Sequence, residues 1–493
     1  MSVSSRHQGD MGGRLLPFEE SRKLPISLII ETPELISTQH LAWMLVNLMV
    51  RLEGYVEKVS VRCPRGVQLA PFVIPWHKGS GDFRDVLLAE GNRFQLVPVT
   101  ADEECSHVLA LGPGGSVPRN GWRVHGEGWR GGISRRGIQF NGSSALPFGP
   151  YISACLAAGE LFKQCRIKPE LQEQFDSCFF SSWSIASTDH EPQDGPKLAV
   201  IPPIAFDLAG VGAVGNSFLH TLATVPGLRV AAGFWDNDIK GVDETNLNRY
   251  VLFGRQQVGS KKTNAAVEVL RGTGWDMQPH NQPFSECEKA CLRVISTVDT
   301  NVARQSVQLK YAARIISGST HDLRAEVLRC GPPGEGACLR CFNPPELTLT
   351  DDLIIDKLKR LSSEELKLRC RTAAVSLEEA RSWLQKPKCG QEGERLLAVM
   401  RSQGVGPEAF AVGFVSVLAG TLVAAELIKD VIAADVPLND RNNRLSFQFM
   451  NSLAETNSAA PLGRDPACPS CIAGEPRAQI WKKRFDALEP RRV

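Results

Sequence analysis

No excess of charge of either sign marks this chain: 56 Lys and Arg stand against 54 Asp and Glu, a net charge of +2. That balance argues against a nucleic-acid partner, because binding the phosphate backbone needs clustered cations to displace counterions. The basic residues are scattered, apart from Trp481-Lys482-Lys483-Arg484 and Arg491-Arg492, which read as a solvated helix end. Long apolar runs are missing too. The most apolar stretch, Phe410 to Ile428, is rich in Ala and Gly and contains Ser416, Thr421 and Glu426. A membrane span needs about 20 apolar residues, so this stretch is expected to be a buried helix packed through small residues, and no membrane partner is expected. Met1 to Gly13 has no apolar core of the kind a secretory signal carries, and cytoplasm is the expected compartment. None of the nine histidines stands at metal-ligand spacing to another, and ten of the 14 cysteines are dispersed without a disulfide-like framework.

The composition that remains is that of a soluble globular protein, with 43% hydrophobic and 22% charged residues. Strand signals at Ile26–Ile30 and Val56–Val61 flank a helical segment from Thr38 to Arg51, with Leu41, Met44, Leu45 and Leu48 on one face. This unit has no glycine fingerprint at its first turn. Gly112 to Gly149, dense in Gly with Trp122 and Trp129 interleaved, reads as turns and short strands. Residues 186–197 are polar, carry two prolines and read as a linker. Beyond them, helix and strand signals alternate through Asp236 and Asp299, as in a parallel α/β sheet. Residues 151–163 (YISACLAAGELFK) resemble residues 417–429 (VLAGTLVAAELIK). The fold class expected is therefore α/β: a Rossmann-like domain with a mostly parallel sheet, preceded by a degenerate α/β domain, a pseudo-duplication. The expected boundaries are 1–185 for the degenerate domain, 186–197 for the linker, 198–475 for the active domain and 476–493 for a tail.

The sharpest motif is Gly210-Val211-Gly212-Ala213-Val214-Gly215, placed between the strand signal Ile204–Leu208 and a helix. Glycines there permit a tight turn and close backbone approach, and a helix N-terminus offers free N–H groups to phosphate. Asp236 lies 21 positions past Gly215, where a ribose-binding carboxylate belongs; Asp238 is the alternative. A nicotinamide-binding domain would need little more. This chain continues, however, with Thr245-Asn246-Leu247-Asn248-Arg249-Tyr250, then Val258-Gly259-Ser260-Lys261-Lys262, then Asp299-Thr300-Asn301-Val302-Ala303-Arg304. Cys338-Leu339-Arg340-Cys341 and Cys468-Pro469-Ser470-Cys471 form two Cys-x-x-Cys hooks, which together suit a closed, structural zinc site of four thiolates.

In this order the blocks resemble the ubiquitin-activating enzyme superfamily, with its ThiF/MoeB-like adenylation fold, which includes sulfur-carrier adenylyltransferases. The resemblance covers about residues 198 to 475. It implies that ATP and Mg2+ bind at Gly210, Gly212, Gly215, Asp236 or Asp238, Asn246, Arg249, Lys262 and Asp299, with Arg249 and Asp299 also catalytic. It implies zinc on Cys338, Cys341, Cys468 and Cys471. In the family a Pro-x-Cys in a crossover loop supplies a thioester nucleophile, matched here by Pro387-Lys388-Cys389; Cys370 is the runner-up. An arginine from the N-terminal region reaches the site in such enzymes, with Arg6, Arg14 and Arg22 as candidates. The sequence departs from the family at Ala213, where a Gly is usual, and in a longer stretch between Asp236 and Asn246. The partners implied are a ubiquitin-like protein ending in Gly and a conjugating enzyme, and a homodimer stays open. The resemblance is greatest to compact activating enzymes of bacterial ubiquitin-like conjugation operons, which include antiviral defence systems. The alternative is a sulfur-carrier or peptide adenylyltransferase without its own thioester; a non-catalytic scaffold and a nicotinamide oxidoreductase are further rivals.

Overall fold

The computed structural model describes residues 14–140, 144–198, 200–331, 333–343, 351–361, 363–373, 375–385, 393–397, 410–432, 442–450, 457–472 and 475–488. Its strands form two eight-stranded sheets. The first contains β1 (Leu24–Ile30), β2 (Val56–Arg62), β3 (Val99–Ala101), β4 (His107–Leu111), β5 (Gly121–Glu127), β6 (Arg130–Ser134), β7 (Ser177–Ser181) and β8 (Ala186–Thr188). The second contains β9 (Ile204–Ala209), β10 (Val230–Trp235), β11 (Asp276–His280), β12 (Arg293–Ser296), β13 (Arg314–His321), β14 (Arg324–Cys330), β15 (Arg444–Gln448) and β16 (Asn457–Ala460).

Both sheets have one strand order: β3-β2-β1-β4-β5-β6-β7-β8 and β11-β10-β9-β12-β13-β14-β15-β16. In each, the first five strands across the sheet run parallel and the last three add antiparallel. Helices repeat as well. In the first half α1 (Ile36–Met49) follows β1, α2 (Phe83–Asn92) precedes β3, and α3 (Phe148–Arg166) joins β6 to β7. In the second half α4 (Ala213–Ala223) follows β9, α5 (Lys262–Leu270) precedes β11, α6 (Asn301–Gln308) follows β12 and α7 (Leu339–Phe342) follows β14. The repeated peptides therefore occupy equivalent places: the first lies in α3, the second in the helix that joins β14 to β15. The sequence similarity records a duplicated fold.

Residues 345–409 form a separate compact unit. It holds α8 (Asp351–Arg360), α9 (Ser363–Ala373) and α10 (Leu377–Gln385) around a small core of Ile354, Leu358, Leu366, Cys370, Ala380 and Leu384. The chain then returns through α11 (Gly413–Val431), which joins β14 to β15, and ends in α12 (Pro476–Leu488).

The expected apolar helix is thus α11, and residues 413–429 are buried throughout. Among the described residues no helix is long and apolar enough to cross a membrane. α3 packs on β5 and β6, α11 packs on β13 and β14, and the two helices pack on each other. Phe162 meets Phe410 and Phe414 across this seam, and each such buried ring contributes about 1.5–3 kcal/mol. Both helices carry a buried ion pair one turn apart, Glu160 with Lys163 and Glu426 with Lys429. Such pairs need further hydrogen bonds to offset desolvation; Lys163 donates to the Glu173 carbonyl and Lys429 to that of Ser182.

Two segments differ from the sequence reading. The polar stretch read as a linker starts with β8, and beyond it Asp194 accepts from the Trp129 N–H while Trp129 Nε1 donates to the Pro196 carbonyl. Polarity there reflects a sheet edge and its stitching. The basic helix end is docked in part: Trp481 and Phe485 are buried and the Arg484 guanidinium donates to the carbonyls of Lys310 and Ala290, while Lys482 and Lys483 stay exposed as read, and Arg491 and Arg492 lie outside the described residues.

Small residues set the spacing of α11 on α4. A Cβ on Gly420 would lie 2.5 Å from the Phe218 backbone nitrogen and 2.6 Å from Ser217 Cβ. Gly420→Val should therefore destabilise the chain by about 3 kcal/mol, the upper end of overpacking costs, seen as an earlier urea midpoint. An unchanged midpoint would contradict this packing.

Candidate active site

The glycine turn is built by three constraints. Gly210 has φ +92°, and a Cβ there would sit 3.0 Å from the backbone of Thr297 and Val298. A Cβ on Gly215 would lie 2.3 Å from the Gly210 carbonyl oxygen. Gly212 is different: its nearest neighbour would be the Tyr250 hydroxyl at 4.0 Å, so the space above it is open to a ligand. Thr297 Oγ1 donates to the Gly210 carbonyl at 2.6 Å, and Asp236 Oδ2 accepts from the Val211 N–H at 2.8 Å. Among the described residues no side chain caps the N-terminus of α4, which begins at Ala213. Its first N–H groups and the positive end of its dipole are left for an anion.

This turn opens into a cleft of about 700 Å³ lined by Gly210, Gly212, Trp235, Asp236, Asp238, Arg249, Tyr250, Lys262, Thr297, Asp299 and Arg304, among others. It lies at the carboxyl ends of β9, β10 and β12, where ligands bind in open α/β sheets. Lys262 opens α5 with its side chain only 10% exposed, 2.5 Å from Asp238 Oδ2. Burial works against its charge, but Tyr250, Asp236 and Asp238 outweigh burial and hold its pKa above the ordinary lysine value. Burial likewise opposes ionisation of Asp238, and the hydrogen bond and charge of Lys262 overcome it, keeping that carboxyl below the usual range. The Arg249 guanidinium is fixed by the Thr245 carbonyl at 2.8 Å and Asn248 Oδ1 at 2.7 Å. Asp299 is exposed at the mouth.

The cleft thus gathers Gly210, Gly212, Asp236, Asp238, Arg249, Lys262 and Asp299; Gly215 packs beneath the turn. Asn246 does not line it: its Oδ1 accepts from the Asp243 N–H at 3.0 Å and closes the turn before Arg249. Arg14 and Arg22 flank the bridge from Leu15 to Ile167 in the first half and do not line it either. Cys389 and Arg6 lie outside the described residues. Cys370 is buried in the small core of its unit, and burial pushes its thiol pKa up, the reverse of what a nucleophile needs. Tyr250 and Thr297 went unassigned in the sequence, since a tyrosine inside a motif and a threonine at a strand end carry no chemistry by spacing alone. A second groove, of about 620 Å³, lies at the C-terminal end of α4 and has no carboxylate in its lining.

In the first half an ion pair stands at the corresponding turn. Glu31 follows β1 where Gly210 follows β9, and it pairs with Arg123, which is 1% exposed, at 2.5 Å. Arg123 also donates to the Ser116 carbonyl.

Residues 205–470 match the ThiF family. The chain belongs to the ThiF family. Its adenylyltransferase-like fold is the one the two sheets display. Residues 31–174 match a second family, described as the BilD N-terminal domain. The uncharacterized protein y4jF of Sinorhizobium fredii is 28% identical over 349 residues, covering 62% of this chain and 64% of that protein. The chain therefore spans under two thirds of that relative's length. Crystal structures of E. coli MccB with ATP and with MccA-N7isoASN are each 17% identical over 55% of this chain, with TM-scores of 0.36, covering 66% and 67% of their chains.

The four hook cysteines of this ThiF-family chain converge. Their sulfurs all lie within 4.8 Å of one another, with Cys338 to Cys341 and to Cys468 at 3.6 Å and Cys341 to Cys471 at 3.4 Å. Tetrahedral thiolates on zinc sit about 3.8 Å apart, given a metal–sulfur bond of about 2.3 Å, so the set fits structural zinc with no position left for substrate. The Asp465 and Cys341 N–H groups donate to Cys341 Sγ and Cys338 Sγ, both at 3.4 Å. Cys338→Ser and Cys471→Ser should each lose one zinc per chain and weaken the C-terminal packing, because binding energy at such a site is folding energy. Elemental analysis of protein purified without chelator checks this; wild-type protein without zinc would refute it.

Proposed function

We propose that this ThiF-family chain uses ATP to adenylate the C-terminal carboxylate of a ubiquitin-like protein, takes the acyl group onto Cys389 and passes it to a conjugating enzyme. The observation that carries the reading is the cleft: an uncapped helix N-terminus, an open Gly212, Arg249, Lys262 and Asp299 converge where a triphosphate would lie. The joining of two α/β halves of one strand order in a single chain favours a ubiquitin-like partner.

The chemistry has two steps. The partner's carboxylate oxygen attacks the α-phosphorus, forming a P–O bond as pyrophosphate leaves with the electron pair of the broken one. Two anions must meet for this, a repulsion of roughly 4 kcal/mol for unit charges about 4 Å apart near a protein surface. Lys262, Arg249 and the N–H groups of α4 offset it, and they are held in place before the ligand arrives. Asp299, with the phosphates, would hold Mg2+, which supplies further charge neutralisation when bound. Asp236 braces the glycine turn and is the proposed ribose ligand; Asp238, already committed to Lys262, is the alternative. In the second step the thiolate of Cys389 attacks the acyl carbon, AMP leaves, and the thiol proton goes to solvent.

Lys262→Ala and Asp299→Ala should each lower partner-dependent ATP–pyrophosphate exchange by at least roughly 100-fold, as loss of a preorganised charge does, with folding retained. Exchange at the wild-type rate in either variant would remove that residue from the site. The thioester step separates the readings: Cys389→Ala should keep exchange but lose any partner adduct sensitive to thiol reductant. A wild-type enzyme that exchanges yet never shows the adduct would instead be a sulfur-carrier or peptide adenylyltransferase.

A further inference from the structure

The closed first half sends two buried side chains into the second. Asn47 lies in the last turn of α1, and Arg51 follows that helix; both are fully buried. Asn47 Nδ2 donates to the Val251 carbonyl at 2.9 Å. The Arg51 guanidinium donates to the Leu247 carbonyl at 2.5 Å and the Phe253 carbonyl at 2.9 Å, and its Nε to Asn47 Oδ1 at 2.7 Å. All three backbone acceptors belong to one short loop, and they bracket Arg249 and Tyr250, both of which line the cleft. From the other side, Asn216 of α4 accepts from the Leu252 N–H at 2.6 Å.

We propose that Asn47 and Arg51 are positioning residues for the nucleotide cleft, so that the closed half serves as a fixed mount for the Arg249 loop. The proposal rests on the assignment of the cleft to ATP. The physics of a buried cation gives it force. Among the described residues no carboxylate pairs with Arg51; carbonyl dipoles, an amide oxygen and the Phe94 ring, 4.3 Å from the guanidinium carbon, are its surroundings. A desolvated charge is tolerated only while its donors stay satisfied. The loop therefore cannot move away without stranding the cation, and Arg249 is held where the phosphates would arrive. Burial lowers the Arg51 pKa to about 9, which leaves it charged at neutral pH. Arg51, unlike Arg14 and Arg22, thus acts on the cleft without entering it.

The test uses the full chain with its zinc. Arg51→Lys keeps the charge but cannot span both carbonyls, and Asn47→Ala removes a single bond to the loop in case the first variant folds poorly. Hydrogen exchange should quicken most at the amides of residues 247–253 while β9 and β12 stay protected, and Kd for ATP should rise by about tenfold in variants that melt earlier than the wild type yet stay folded and cooperative at the assay temperature. Exchange that quickens across the whole chain, or ATP affinity equal to wild type in both folded variants, would overturn the proposal and leave the two residues as general packing. If wild-type protein binds no ATP, the assignment of the cleft fails by itself, and the loop-exchange arm still decides whether Asn47 and Arg51 hold residues 247–253.

Discussion

The close contact of α11 with α4 is the constraint on which the site depends. A helix N-terminus acts on an anion only over its first turn, so α4 must be placed to within a fraction of its own diameter. Gly420 permits that placement by letting the two backbones approach, and Thr221 and Thr421 meet across the same seam at 3.2 Å. The first half completes the support: α3 packs on α11, and Trp43 Nε1 of α1 donates to His220 Nε2 on α4 at 3.2 Å. One continuous core therefore spans both sheets, and the glycine turn is the partly exposed end of a helix held inside it.

Much of this was legible in the sequence because it rests on local rules. The glycine turn follows from positive φ and close approach at Gly210 and Gly215, and Asp236 follows from the length of one helix and one strand. The two Cys-x-x-Cys hooks converge because each already fixes two sulfurs. Similarity between residues 151–163 and 417–429 reported a duplication that strand order repeats in full. What stayed hidden depends on contacts remote in the chain. Arg51 meets Leu247 across 196 residues, and nothing at position 51 distinguishes it from a helix-end arginine. Asn246 was assigned by motif to the triphosphate, but a capping turn takes its side chain. Composition does not reveal that residues 186–188 form a strand or that Trp481 and Phe485 dock beside the exposed Lys482 and Lys483, because edge strands and docked amphipathic helices keep a polar face.

The charge economy of the cleft ties its parts together. Lys262 is neutralised by Asp238, and Arg249 is held by oxygens of its own loop, so both cations have partners within the protein. A triphosphate would compete with Asp238 for Lys262 without having to create the cation, and the Asp238 carboxylate released would face the ribose side near Asp236. Asp238 is itself braced by the Lys240 N–H at 3.0 Å.

The first half treats two buried arginines in opposite ways. Arg123 stands on β5 and is paired with Glu31 at the turn that would otherwise receive phosphate. That pair stands where the second half has its glycine turn. Arg51 has no such carboxylate among the described residues. Its charge is balanced by carbonyls of the other half, so it is stable only while the two halves remain docked and the Arg249 loop stays in register. A cation whose solvation is supplied by the active half makes separation costly, and it makes the geometry of the open cleft a property of both halves.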